Sequence, residues 1–121
     1  MAREACHNRP VEEPYRPRAL RVMAEYMCDD PVWDSDMDHM GPVELEKLGV
    51  SSQLAGRLRA WNEQYNGIAL TGFEFRTADE ENAWQQSGLQ LAYELQNELP
   101  DIDIGYAHDH DDRPVRERRG P

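Results

Sequence analysis

Long apolar runs are absent from this 121-residue chain, and nothing in it approaches the roughly 18–20 apolar residues of a membrane-spanning helix. The first residues, MAREACHNRPVEEP, lack the apolar core of a secretory signal, so the reading is a cytoplasmic protein with no membrane partner. Cysteine occurs twice, as Cys6 and Cys28. That is too few for a disulfide framework and reads as two thiols in a reducing compartment, a single bridge being the alternative. Lysine occurs once, at Lys47, beside 12 arginines, a skew that reports codon usage rather than function. Glycine-rich phosphate loops are missing, since neither Gly67 nor Gly72 fits G-x-G-x-x-G or G-x-x-x-x-G-K.

Basic stripes are missing too. Residues 19–107 carry 17 Asp and Glu against 5 Lys and Arg, a net of −12, whereas the flanks carry 7 against 8. A field of that sign repels nucleic-acid phosphate and anionic lipid and attracts basic proteins. It also keeps a small protein soluble, which is the simpler explanation of it. Nucleic acid is therefore not an expected partner, and a basic protein is. Nucleophilic catalysis needs a Ser, Cys or Thr beside a positioned base. The four histidines, His7, His39, His108 and His110, lie in the N-terminal arm, an acidic loop and the C-terminal tail, with no spacing that supplies one. The expectation is a non-enzymatic protein without a cofactor.

Mean hydropathy is −0.88, so the apolar residues must be concentrated in the middle of the chain. Residues 1–17, with Pro10, Pro14 and Pro17, read as a disordered arm, and 108–121, HDHDDRPVRERRGP, as a charged disordered tail. Between them, 18–28 alternate: Leu20, Val22, Ala24, Tyr26 and Cys28 on one side, Arg21, Met23, Glu25 and Met27 on the other, which is the period of a strand. Residues 29–42 read as an Asp-rich loop. Asp34, Asp36 and Asp38 have the 1, 3, 5 spacing of a calcium loop, but His39 replaces the turning glycine and Leu45 the bidentate glutamate, so no metal is assigned. His108 to Asp112 imitates part of a binuclear metallohydrolase motif, with Arg113 where its last histidine belongs.

The helices are the clearest signal. Pro42 to Leu48 makes a turn or two, closed by Gly49, and Ser51-Ser52 starts the next helix. Over 52–66, Leu54, Leu58, Trp61 and Tyr65 form one apolar stripe, with Arg57, Arg59, Asn62, Glu63 and Gln64 mostly on other faces. Residues 68–76 read as a loop whose aromatics fold back on the core. Thr77 to Glu80 is a capping box opening a helix to Leu99, with a stripe of Trp84, Gly88, Leu91, Leu95 and Leu99. A glycine inside a helix costs about 1 kcal/mol relative to alanine. Gly88 therefore implies close approach to a neighbouring helix or to the Trp61 ring. Residues 101–107 alternate as a second strand.

The fold class is thus α/β (α+β), ordered strand–short helix–helix–helix–strand, with two long amphipathic helices on a small two-stranded sheet. Such a sheet exposes edges that could pair a second copy into a homodimer. Whether its strands run parallel stays open at this stage.

The motifs Ala24-Glu25-Tyr26, Pro31-Val32-Trp33, the helix from Leu48 to Tyr65, and W-x-x-x-G-x-x-L-A-x-x-L-Q from Trp84 to Gln96 carry a resemblance. Over residues 18–107 the chain resembles a family of small, mostly uncharacterised actinobacterial-type proteins. The resemblance implies this fold outline and supplies no site.

From the charge follows the leading functional expectation: a non-catalytic interaction protein, in its sharpest form an immunity- or inhibitor-type protein holding a basic protein partner. The candidate face is Asp29, Asp30, Asp34, Asp36 and Asp38 with Glu44 and Glu46, and Trp33 as anchor. Two alternatives stand beside it. One is a ligand-binding domain or enzyme with a site between helices and sheet, lined by Tyr26, Trp61, Tyr65, Trp84 and Tyr106. The other is a homodimeric structural protein.

Overall fold

The computed structural model describes residues 16–26 and 30–118, the side chain of Met37 apart. Strand β1 (Ala19–Val22) pairs antiparallel with β2 (Val32–Asp34) and parallel with β4 (Asp103–Tyr106). Strand β3 (Gly41–Pro42) adds to β2, giving the order β3-β2-β1-β4. The sheet is therefore four-stranded, not two-stranded. Its extra strands lie inside the Asp-rich stretch, and at three and two residues they are too short for a period-two pattern to emerge.

β1 is shorter than its alternation. Leu20, Val22 and Ala24 all stay buried, but after Val22 the backbone finds other partners. Met23 N–H donates to the Pro31 carbonyl at 2.9 Å, Ala24 N–H to His108 Nε2 at 2.9 Å, and Glu25 N–H to Asn62 Oδ1 at 2.8 Å. Buried amides must be satisfied, and here side chains continue what the ladder leaves off. Asn62, on sequence one of the polar set of its helix, is accordingly 1% exposed.

Helix α1 (Ser52–Gly67) follows a 3-10 turn at Leu45–Leu48, closed by Gly49 at φ +95°. Ser51 Oγ accepts the Leu54 N–H at the helix start, while the Ser51 N–H and hydroxyl donate to the Glu98 carboxylate at 2.7 and 2.9 Å. One residue thus caps α1 and ties it to the end of α2 (Ala78–Glu98). Thr77 Oγ1 accepts the Glu80 N–H at 3.0 Å, and Asp79, Glu80 and Glu81 crowd the first turn, where the helix dipole favours them.

Both helices cover one face of the sheet, where Leu20, Val22, Val32, Ile104 and Tyr106 meet Leu58, Trp61, Leu91 and Leu95. Residues directly opposite in a sheet share a face, so Arg21, Trp33 and Gly105 lie together on the other one.

The outer edge of β4 is already occupied. Gln96 Oε1 accepts the Ile104 N–H at 3.2 Å, and Gln96 Nε2 donates to the carbonyls of Leu99 and Ile102 at 3.0 and 2.7 Å. The buried side-chain amide stands in for a neighbouring strand. β3, at the opposite edge, is two residues long and half proline, so neither edge offers much ladder to a second copy.

Residues 108–118 return to the domain. Val115 is fully buried against β4 and α2, and the Arg118 guanidinium bonds Asp109 and the Asp111 carbonyl. Charge conceals this packing in the sequence, because its anchor is one valine and its ties are arginine hydrogen bonds.

Candidate partner-binding surface

Charge singles out the acid-rich segment from Asp29 to Glu46. Asp29 lies outside the described residues. Arg59, on α1, holds two of the others: its Nε donates to Asp30 at 2.6 Å and its two terminal nitrogens to Glu46 at 3.0 and 2.8 Å. These charge-assisted bonds push the Glu46 carboxyl below its usual range and the guanidinium above its own. Asp34 is 4% exposed, and its Oδ1 accepts the Asp36 N–H at 2.9 Å. Its role is to hold the loop from inside. Asp36 caps the 3-10 turn Met37–His39 by accepting the Asp38 N–H, the main cause of its lowered pKa, and lies 3.3 Å from His39 Nδ1. Glu44 pairs with Lys47 at 3.1 Å. Trp33 is half-buried, and its indole Nε1 is buried without a hydrogen-bond partner.

The loop is thus well built and partly self-neutralised. Asp36, Asp38 and Glu44 are its outward carboxylates, while Asp30 and Glu46 share one cation. The 1, 3, 5 aspartates do not converge, because Asp34 points into the core and Asp36 caps a turn. Among the described residues, no group of three or more His, Cys, Asp or Glu could hold a metal ion.

The aromatic interior is filled by its own rings. Trp61 and Trp84 stack at 4.6 Å with 9° between planes, and each indole N–H donates to the other residue's carbonyl, at 2.9 and 3.2 Å. Tyr65, also on α1, stacks on Trp84 at 5.7 Å, and the His108 ring stands edge-on to Trp84 at 4.8 Å. The Tyr106 hydroxyl donates to the Gln85 carbonyl at 2.7 Å. Gly88 makes this packing possible, for a Cβ there would lie 2.4 Å from Trp61 Cζ2 and 2.5 Å from the Tyr106 oxygen. The expected close approach to Trp61 is what the structure shows. An open groove of about 470 Å³ runs instead along the outside of α1 and α2, with Arg57, Gln64, Gln86, Ser87 and Gln90 on its walls.

A feature that charge did not nominate lies at the α1–α2 connection. The aromatics of 68–76 do fold back in part: Phe75 meets Trp84 at 5.4 Å, and Phe73 stacks on Tyr65 at 5.0 Å with its edge to Tyr26 at 5.4 Å. Yet Phe73 remains 40% exposed, Tyr26 42% and Leu70 100%. Phe73 also has φ +63°, the left-handed region that side chains other than Gly and Asn rarely enter. The signal available in the sequence was the pair of large apolar residues flanking Gly72, between two well-marked helix ends.

No membrane-spanning candidate occurs among the helices of the described residues. No curated protein matches the chain. A family model does, over residues 18–109, from the first residue before β1 through His108 and past it. That span holds the whole sheet, both helices and the histidine that closes β1, and on it the chain belongs to the Serratia CdiI immunity protein-like family.

Proposed function

We propose that this protein is the immunity member of a toxin–immunity pair and acts without catalysis, in the cytoplasm, by holding a basic toxin protein against its acidic domain. Family membership over residues 18–109 carries the reading. The net charge of −12 over residues 19–107 supports the basic character of the partner, since complementary charge accelerates encounter and excludes wrong partners. The strand-side loop contributes through Asp36, Asp38 and Glu44, its outward carboxylates. Asp30 and Glu46, tied to Arg59, and buried Asp34 hold its shape.

A toxin made without its antidote harms its own producer, so the two genes must travel together. The protein encoded beside this chain's own gene is therefore the probe. Its association rate with the full chain, measured at low and at high salt, should fall steeply with salt. The triple variant Asp36→Lys, Asp38→Lys, Glu44→Lys should slow association about tenfold at low salt, in the range of electrostatic steering. An unchanged rate would remove the loop from the interface, and no binding by the wild-type chain would remove the function.

A further inference from the structure

We infer, resting on the reading above, that the toxin is anchored at the α1–α2 end of the domain, where Leu70, Phe73 and Tyr26 are exposed apolar side chains and carboxylates flank them in the chain. The occupant is a basic protein surface with an apolar socket flanked by Lys or Arg.

Three observations converge on this end. Leu70 is fully exposed, although the chain around it is well held: Thr71 Oγ1 lies 2.9 Å from the carbonyls of both Ile68 and Glu74, its one proton shared between them, and Phe73 N–H donates to the Ile68 carbonyl at 2.9 Å. An apolar side chain presented on ordered backbone costs little further entropy on binding. Phe73 occupies a conformation that disfavours its own side chain, and such outliers gather at ligand clamps and functional loops. Its ring is propped between Tyr26 and Tyr65, which fixes the exposed part of Phe73 in place. Aromatic anchors of this kind dominate interface energetics.

The third observation chooses the occupant. Glu25, Glu74, Asp79, Glu80 and Glu81 adjoin these side chains in the chain, and the basic residue among them is Arg76, which is largely exposed and reaches Glu80 at 3.6 Å. The strand-side loop, by contrast, sets Arg59 and Lys47 against its own carboxylates. Five carboxylates against one arginine in the flanking segments repel a second copy of this acidic chain, nucleic acid and anionic lipid alike. They complement a cationic protein.

Leu70→Ser and Phe73→Asn test the anchor separately, in the full chain, against the product of the adjacent gene. Leu70 touches nothing that folding requires, and asparagine tolerates the left-handed region that Phe73 occupies. Leu70→Ser should keep a thermal midpoint close to wild type, and Phe73→Asn should stay folded with a midpoint lowered by the two ring contacts it gives up. Each should lose affinity at least tenfold, chiefly through faster dissociation, with the salt dependence of association retained. Affinity within about twofold of wild type for both variants would overturn the inference and leave the immunity reading standing. Absence of binding by the wild-type chain would overturn the immunity reading itself, and the anchor with it.

Discussion

Gly88→Ala adds one methyl group to the centre of the structure, and its consequence can be worked from the geometry. On helix propensity alone the change should stabilise α2 by about 1 kcal/mol. The added Cβ, however, would sit 2.4 and 2.7 Å from Trp61 Cζ2 and Cε2 and 2.5 Å from the Tyr106 oxygen, whereas carbon atoms in contact prefer about 3.5–4.0 Å. Trp61 must retreat by roughly 1 Å on that spacing. It cannot do so cheaply, because it is stacked on Trp84 at 4.6 Å and bonded to the Trp84 carbonyl at 2.9 Å. Tyr106 is likewise held by Gln85 at 2.7 Å. Overpacking costs about 1–3 kcal/mol, and each buried polar group left unpaired about 1–3 kcal/mol more. With one such group unpaired and the propensity gain subtracted, a net loss of about 1–5 kcal/mol is expected. Gly56 is the internal control: it is an exposed position of α1, and a Cβ there meets nothing within 4 Å. Gly56→Ala should raise stability by about 0.5–1 kcal/mol. Urea unfolding followed by tryptophan fluorescence and by circular dichroism reads both variants. Gly88→Ala as stable as Gly56→Ala would refute the packing argument.

Two further outcomes follow from buried polar groups. Gln96→Leu leaves the Ile104 N–H without its acceptor and bares the outer edge of β4, so it should cost about 1–3 kcal/mol and promote aggregation on heating. An unchanged urea midpoint would show that the edge does not depend on this amide. His108 accepts the Ala24 N–H as a neutral ring, and burial, with Arg21 adding and Asp109 opposing, holds its pKa below the ordinary imidazole value. The unfolded chain therefore binds a proton more readily than the folded one. Stability is full above pH about 6.5 and falls as pH drops toward the folded-state value. Thermal midpoints scanned from about pH 8 downward should decline through that window in the wild-type chain, and His108→Gln should flatten the decline. Parallel profiles would assign the pH dependence to other groups.

What the sequence reveals is what local chemistry encodes. Ser51 and Thr77 announce both helix starts because a capping oxygen works within three residues, and the apolar stripes follow from the helical period. Gly88 was interpretable because a helix-interior glycine needs a reason. What escaped has a non-local cause. β2 and β3 exist only by pairing with β1 and with each other, and the parallel match of β1 to β4 joins residues more than 80 positions apart. Asn62 and Gln96 sit on the buried sides of their helices because their amides serve backbone groups of other segments. Asp34 belongs to the acidic run by composition and to the interior by structure. Of the proposed partner surface, composition supplied the charge. The exposure of Leu70 and the backbone of Phe73 needed coordinates.

Neutralisation of a toxin is the most direct test of the immunity reading. Cells expressing the product of the adjacent gene should stop growing, and co-expression of this chain should restore growth, with the two proteins recovered as one complex. Growth arrest that this chain leaves untouched, or an adjacent product that harms nothing, would contradict the immunity reading.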